Sequence, residues 1–146
     1  MSEGKSMKYS VVYFSRTGNS RRIAKKIAQN LSTAATEVTD NMNWNGAFGL
    51  LKALHYSLKN KDVSIHIHGD IDADEYIVVS PMWCGKITPA IRNLLQTFPK
   101  NKVHLVISSG SGIYKDRADY KSVVDIIEKE KNEDKIIEAF TRSLSL

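Results

Sequence analysis

The chain has 146 residues, 42% hydrophobic and 25% charged, an ordinary composition for one globular domain with a real core. No apolar run approaches the roughly 20 residues that a membrane-spanning helix needs. The net charge of +5 rests on scattered basic residues, with no block of them that would argue for nucleic acid. Cys84 is the single cysteine, so no internal disulfide can form, and the opening MSEGKSMK lacks the apolar stretch of a secretory signal. A cytoplasmic location is expected.

Residues 1–7 are small and polar and read as a loose lead-in. Residues 10–14, SVVYF, are a short run of β-branched and aromatic side chains, as a buried parallel strand requires. After a polar loop, Ile23, Ile27 and Leu31 recur at four-residue spacing beside Ala24 and Ala28, the apolar stripe of a helix. Residues 35–39 read as a short, half-polar edge strand. Residues 40–46, DNMNWNG, are a loop by composition, and Trp44 within it covers apolar surface or lines a site, covering being favoured. Phe48, Leu50, Leu51, Leu54 and Leu58 then fall at helical spacing and predict an amphipathic helix over 47–59.

Ile65 and Ile67 alternate with His66 and His68 in an extended segment. Two imidazoles on one face, with no third ligand near them in sequence, do not make a metal site. Asp70, Asp72 and Asp74 imitate the start of a calcium loop. Glu75 then stands where glycine is needed and Pro81 where the bidentate glutamate is needed, so a solvated acidic turn is expected. Residues 76–80, YIVVS, read as a strand and residues 81–86, PMWCGK, as a loop at its carboxyl end. Thr88 and Pro89 suit the cap and first position of a helix whose buried face is Ile91, Leu94, Leu95 and Phe98. Residues 103–108 give another strand, followed by a Ser/Gly loop. Residues 113–121 are charged and ambiguous. Residues 123–127 fit a fifth strand or the middle of a helix, and strand is favoured because residues 132–134, NED, make a good helix start. The last helix carries Ile136, Ile137, Phe140 and Leu144.

The loop over 15–20, SRTGNS, lies between the first strand and the first helix. A helix begins with backbone N–H groups that have no partner inside it, and its dipole is positive there. Ser15, Thr17 and Ser20 add hydroxyl donors, and Gly18 permits close backbone approach or a positive φ. The loop therefore reads as a phosphate cradle or as an ordinary turn with Asn19 or Ser20 as a plain N-cap. It matches neither the dinucleotide nor the P-loop glycine pattern.

Ser15, Arg16, Thr17, Gly18, Asn19 and Ser20 resemble the phosphate loop of the flavodoxin family, [ST]-x-T-G-N-[ST]. Residues 76–95, YIVVSPMWCGKITPAIRNLL, resemble the strand, P-x-W-x-G-[KR] loop and P-A-[IV]-R helix of its short-chain branch. The two matches lie within residues 15–95 of the 146. The resemblance implies an α/β fold of flavodoxin type: a doubly wound parallel sheet of about five strands, in the order 2-1-3-4-5, with helices on both faces. It implies FMN as cofactor, with its phosphate on the first loop and its ring against Pro81, Met82, Trp83, Cys84 and Gly85. Trp83 then stacks on or edges the ring, or else anchors the loop to the core. Gly85 lets a peptide reorient when the flavin is reduced. Ser108, Ser109, Gly110 and Gly112, with Tyr114 after them, lie along the other side of the ring. Lys86, beside the loop, is expected to stabilise an anionic reduced flavin. Cys84 is expected to be a small apolar filler.

In function the resemblance implies a monomeric carrier that passes electrons between redox partner proteins. The sequence shows no Ser/His/Asp or Cys/His set at a spacing that marks nucleophilic catalysis. The alternatives are a small FMN-dependent reductase or oxidase acting on a quinone or porphyrinogen, and a module that keeps the fold without the flavin. The basic charge departs from the acidic balance typical of the family, so partner docking is not carried over from it.

Overall fold

The strand-forming runs pair into one sheet. In the computed structural model, which describes residues 7–144, the elements are β1 (Tyr9–Tyr13), α1 (Asn19–Asn30), β2 (Ala35–Asp40), α2 (Gly46–Lys59) and β3 (Ile65–Ile67). There follow β4 (Glu75–Trp83), β5 (Lys86–Ile87), α3 (Pro89–Leu95), β6 (Val103–Ser109), β7 (Ser122–Ile127) and α4 (Glu133–Leu144). All but the last residue of the expected lead-in lies outside the described residues.

The sheet order is β3-β2-β1-β4-β6-β7, with β5 paired to β4. The pairs among β2, β1, β4, β6 and β7 are all parallel, so the five long strands have the expected 2-1-3-4-5 order. Two short antiparallel strands are added to them. β3 pairs with β2, which corrects the reading of residues 35–39 as an edge strand. β5 folds back on β4, so the segment expected as a loop over 81–86 is strand and hairpin. Residues 123–127 form strand, as favoured, within β7.

Parallel strands bury both faces, and alternate side chains divide between them. Val11, Tyr13, Ile77, Val79, Val106 and Ile126 meet Ile23 and Ile27 of α1 and Ile137 and Phe140 of α4. Val12, Val38, Val78, Leu105 and Ile107 meet Ile91 and Leu94 of α3 on the other face. Thr88 caps α3 as expected: its Oγ1 accepts from the Ile91 N–H (3.4 Å), with Pro89 at the first position.

Helix α2 is turned over relative to its apolar pattern. Its buried residues are Gly49, Ala53 and Ser57, a small-residue stripe at four-residue spacing. A Cβ on Gly49 would land 2.0 Å from the Trp44 carbonyl, so only glycine permits this approach. Phe48 and the four leucines of the helix consequently face outward, while Tyr56 packs inward on Trp44.

At the opposite end of the sheet from the loops described below, His104 bridges two strands. One ring nitrogen is 2.7 Å from Glu75 Oε1 and the other 2.7 Å from Ser122 Oγ. Burial alone would raise the Glu75 carboxyl, but hydrogen bonds and charge from His104 and Lys121 hold it below its usual range. The row satisfies polar groups buried under Phe140 and has the character of a structural brace.

Helices α1 and α4 are tied by Glu133, which accepts from Arg22 (2.7 and 3.0 Å) and from Lys26 (2.7 Å). The Arg22 hydrogen bonds, helped by Lys26 and opposed by partial burial, lower its carboxyl to about 2. A depressed carboxyl stabilises the fold above its unfolded pKa. That stability is lost as pH falls from about 4.5 toward about 2. The cations are about half exposed, so Glu133→Gln is expected to cost only about 1–2 kcal/mol at neutral pH. Urea titrations of the two proteins are expected to converge as pH approaches the folded pKa. A deficit independent of pH would show that the carboxylate charge is not what matters.

Candidate functional site

The polar loops gather because their strands are neighbours. β1, β4 and β6 lie side by side, with Tyr13 opposite Val79 and Pro81 opposite Ser108. Their carboxyl ends therefore open on one edge of the sheet, where α/β proteins bind ligands. The Phe14 N–H donates to the Val79 carbonyl (3.2 Å) and carries the β1–β4 pairing to the start of the first loop.

In that loop Gly18, not Asn19 or Ser20, is the N-cap of α1, with φ +99° and no side-chain cap. The positive φ explains the glycine. The Gly18 N–H donates to Ser15 Oγ (2.9 Å), and Asn19 Oδ1 accepts from Arg22 (2.9 Å). Thr17 is exposed. Ser20 is 1% exposed, and its hydroxyl has no hydrogen-bond partner among the described residues. Buried hydroxyls are rarely left unpaired. The nearby cations are engaged elsewhere: Arg21 with Glu37 (3.0 Å), and Arg22 with Glu133. Arg16 donates to the carbonyls of Trp44 (2.7 Å) and Gly46 (3.4 Å), which fastens the loop before α2 to the loop after β1. Recognition of an anion here falls to hydroxyls and first-turn amides rather than to a free cation.

Pro81, Met82 and Trp83 continue β4, and Cys84-Gly85 form the two-residue turn to β5. Their φ values are +53° and +76°, as a type I′ hairpin demands. Cys84 is exposed at the turn, which corrects its reading as an apolar filler. The hairpin is held at its base and along its flank. Buried Ser80 Oγ donates to the Pro81 carbonyl (2.8 Å) and accepts from the Thr88 N–H (3.4 Å). Trp83 packs edge-on against Phe14 (5.8 Å between ring centres) and Trp44 (5.1 Å), and Trp44 meets Tyr56 of α2 (5.4 Å). Trp83 is thus an anchor whose ring stays partly exposed. Trp44 is buried and covers apolar surface, as favoured, and its indole N–H donates to Asp40 (2.7 Å). Burial raises the Asp40 carboxyl against the bonds from Trp44 and the Met42 amide.

Ser108, opposite Pro81, and Ser109 end β6, and Gly110 follows them. Ser109 Oγ donates to the carbonyl of Gly112, which has φ +87°. Residues 113–121 form no helix and run as an irregular strap pinned to β7. The Tyr114 N–H donates to Asp125 Oδ1 (2.9 Å), and Arg117 bonds Asp125 Oδ2 and the Tyr114 carbonyl. Tyr114 is buried. Burial pushes its phenol up to about 12, so it stays neutral at physiological pH.

Two cavities lie near these loops, one between the start of the first loop and the end of β2, the other against the hairpin. One, of about 350 Å³, is lined by Ser15, Arg16, Asp40 and Trp44. The other, of about 660 Å³, is lined by Gly85, Lys86, Arg92, Lys100, Tyr114 and Tyr120. The Lys86 ammonium donates to Asn60 Oδ1 (2.9 Å) there. The predicted residues are therefore divided: Ser15 and Arg16 border one cavity, Gly85 and Tyr114 the other, and Thr17 to Ser20 line neither. Asp40 and Asn43 border the first cavity without having been singled out in the sequence. Their signal was the composition of the DNMNWNG loop. His66 and His68 are neighbours (4.4 Å between rings), and among the described residues no three His, Cys, Asp or Glu side chains gather as a metal site.

The hairpin predicts two outcomes. Cys84→Asn, which tolerates the left-handed backbone better, is expected to raise stability by about 0.5–1 kcal/mol. Trp83→Ala is expected to lower it by about 2–4 kcal/mol, read by urea unfolding. An unchanged midpoint for Trp83→Ala would show that the ring is not an anchor.

No protein-family model matches the chain, and no curated protein does. Solved structures do. A putative flavoprotein from Bacteroides eggerthii is 17% identical with a TM-score of 0.71, over 96% of this chain and 99% of that one. A flavoprotein from Lactobacillus acidophilus in complex with FMN is 23% identical with a TM-score of 0.61, over 88% and 97%. A Fusobacterium nucleatum flavodoxin bound to flavin mononucleotide is 12% identical with a TM-score of 0.53, over 95% and 98%. With its strand order and its helices on both faces, the chain has the flavodoxin-like doubly wound fold.

Proposed function

We propose that the chain binds FMN and passes electrons between redox partner proteins. The observation that carries this reading is the buried Ser20 hydroxyl, unpartnered at the first turn of α1 beside a left-handed glycine. A phosphate would give that hydroxyl a partner and would meet amides that the helix cannot satisfy itself. No acidic side chain in the first turn opposes it. The residues present therefore fit FMN. Ser15, Thr17 and Ser20 hydroxyls and the amides of Asn19 and Ser20 would hold the phosphate, and the partly exposed face of Trp83 would meet the ring. When bound, FMN supplies the reversible one- and two-electron chemistry. The chain itself binds, orients and shields. Its neutral phenols at Tyr114 and Tyr120, both raised by burial, offer hydrogen-bond donors and no base. That three of the solved structures named above are of flavoproteins or a flavodoxin supports the reading.

The cavity of about 660 Å³ beside Gly85 favours a second reading, a small flavin-dependent reductase. A short chain has little room for a substrate pocket, yet this cavity is of ligand size. Its lining has four cations, Lys86, Arg92, Lys100 and Lys115, against Asp116, and would suit an anionic aromatic acceptor.

The two readings separate in a visible spectrum of the purified protein taken with added FMN and during stepwise anaerobic reduction. A carrier is expected to show bound flavin reduced in two resolved one-electron steps. Reduction in a single two-electron step would favour the reductase. Absence of binding in excess FMN would overturn both and leave a module without flavin. Ser20→Ala is expected to weaken FMN binding by about 10-fold or more while leaving the apoprotein as stable or up to about 1 kcal/mol more stable. A loss of apoprotein stability instead would mean that the hydroxyl already has a partner.

A further inference from the structure

Helix α2 carries its large apolar side chains outward. Exposure runs from 41% at Leu54 to 83% at Phe48, with Leu50, Leu51 and Leu58 between them. Leu50, Leu54 and Leu58 follow four-residue spacing, and Leu51 lies beside them, so they share one flank of the helix. The inner stripe of Gly49, Ala53 and Ser57 is already used against the body of the protein. A contiguous apolar ridge of this kind marks a docking surface rather than ordinary surface scatter.

The charge around the ridge limits what covers it. Residues 41–61 contain no Asp or Glu but hold Lys52, Lys59 and Lys61. Lys86 joins them at the carboxyl end of the helix through its bond to Asn60 (2.9 Å). The next acid, Asp62, faces Arg92 at 3.6 Å. A second copy packed on this face by two-fold symmetry would set the same lysines of both chains near each other without a carboxylate from this stretch between them. The occupant is therefore apolar beneath a negative surface. The helix is also a convex ridge with five projecting side chains, and a bilayer moulds to such a ridge where a protein partner would need a matching groove. Phe and Leu on one side and Lys beside them are the composition of a helix that lies in a membrane interface. Among the described residues no helix is long and apolar enough to cross a membrane, so the contact is peripheral.

We propose that α2 docks the protein on an anionic lipid bilayer, with Phe48, Leu51 and Leu58 entering the headgroup–acyl boundary and Lys59 and Lys61 meeting the lipid charges. The inner side of the same helix touches Trp44 through Tyr56, and Trp44 touches Trp83. The proposal does not depend on flavin.

The test is cosedimentation of the full chain with vesicles of phosphatidylcholine alone or with about 30% phosphatidylglycerol. Binding to the anionic vesicles is expected, falling by about 10-fold or more between about 0.05 and 0.5 M salt. Leu51→Ser combined with Leu58→Ser removes exposed groups, so the fold should survive, which circular dichroism checks. This double variant is expected to bind at least about 10-fold more weakly. No binding to anionic vesicles overturns the proposal, as does equal binding to both lipids or binding that the double variant retains. A dimer in light scattering that the double variant abolishes, without lipid binding, would assign the face to a second copy instead.

Discussion

The parallel pairing of β1 with β4 and of β4 with β6 is the constraint on which the rest depends. Three strands that run the same way must end on the same edge, so the loops after them cannot avoid one another. The order β2-β1-β4 also splits the chain at β1, with α1 on one face and α3 on the other. At that split lies the first loop, with its left-handed glycine and its unpartnered, buried serine hydroxyl. The site is a property of strand order first and of side chains second.

The second loop is rigid for a different reason. Its tip is a two-residue turn with both residues at positive φ, and its base is fastened to the cap of α3 through Ser80. Its flank is an aromatic chain from Phe14 through Trp83 and Trp44 to Tyr56. Arg16 closes the circuit by holding the Trp44 carbonyl from the first loop. The two loops that the flavodoxin resemblance assigns to flavin are therefore braced against each other by protein contacts alone. A preorganised site loses less entropy on binding than a loose one.

Much of this was legible in the sequence because parallel strands leave a plain signal. The apolar runs at 10–14, 76–80 and 103–108 mark the buried strands, Phe14 lying one residue past β1, and Thr88-Pro89 marked the start of α3 by a local rule. What was not legible depended on tertiary approach. The leucines of α2 have helical spacing, but spacing does not say which side of a helix meets the body. Close approach of α2 to the Trp44 carbonyl selected the Gly49 stripe instead. The edge of the sheet was misplaced because β3 is only three residues long, too short for its alternation to announce a pairing. Cys84 is a small residue that packs nowhere, because hairpin geometry put it on a turn. The burial of Tyr114 on the α3 face likewise depends on a tertiary contact, the strap tied by Asp125 and Arg117.

The central claim is that the loop after β1 binds the phosphate of a flavin. Calorimetric titration of the apoprotein with FMN and with riboflavin, which carries the same ring and no phosphate, tests it most directly. Several charge-assisted hydrogen bonds to one phosphate should make FMN bind at least about 100-fold more tightly. Equal affinity for the two would contradict the account and place whatever flavin affinity remains in the hairpin and its aromatic neighbours.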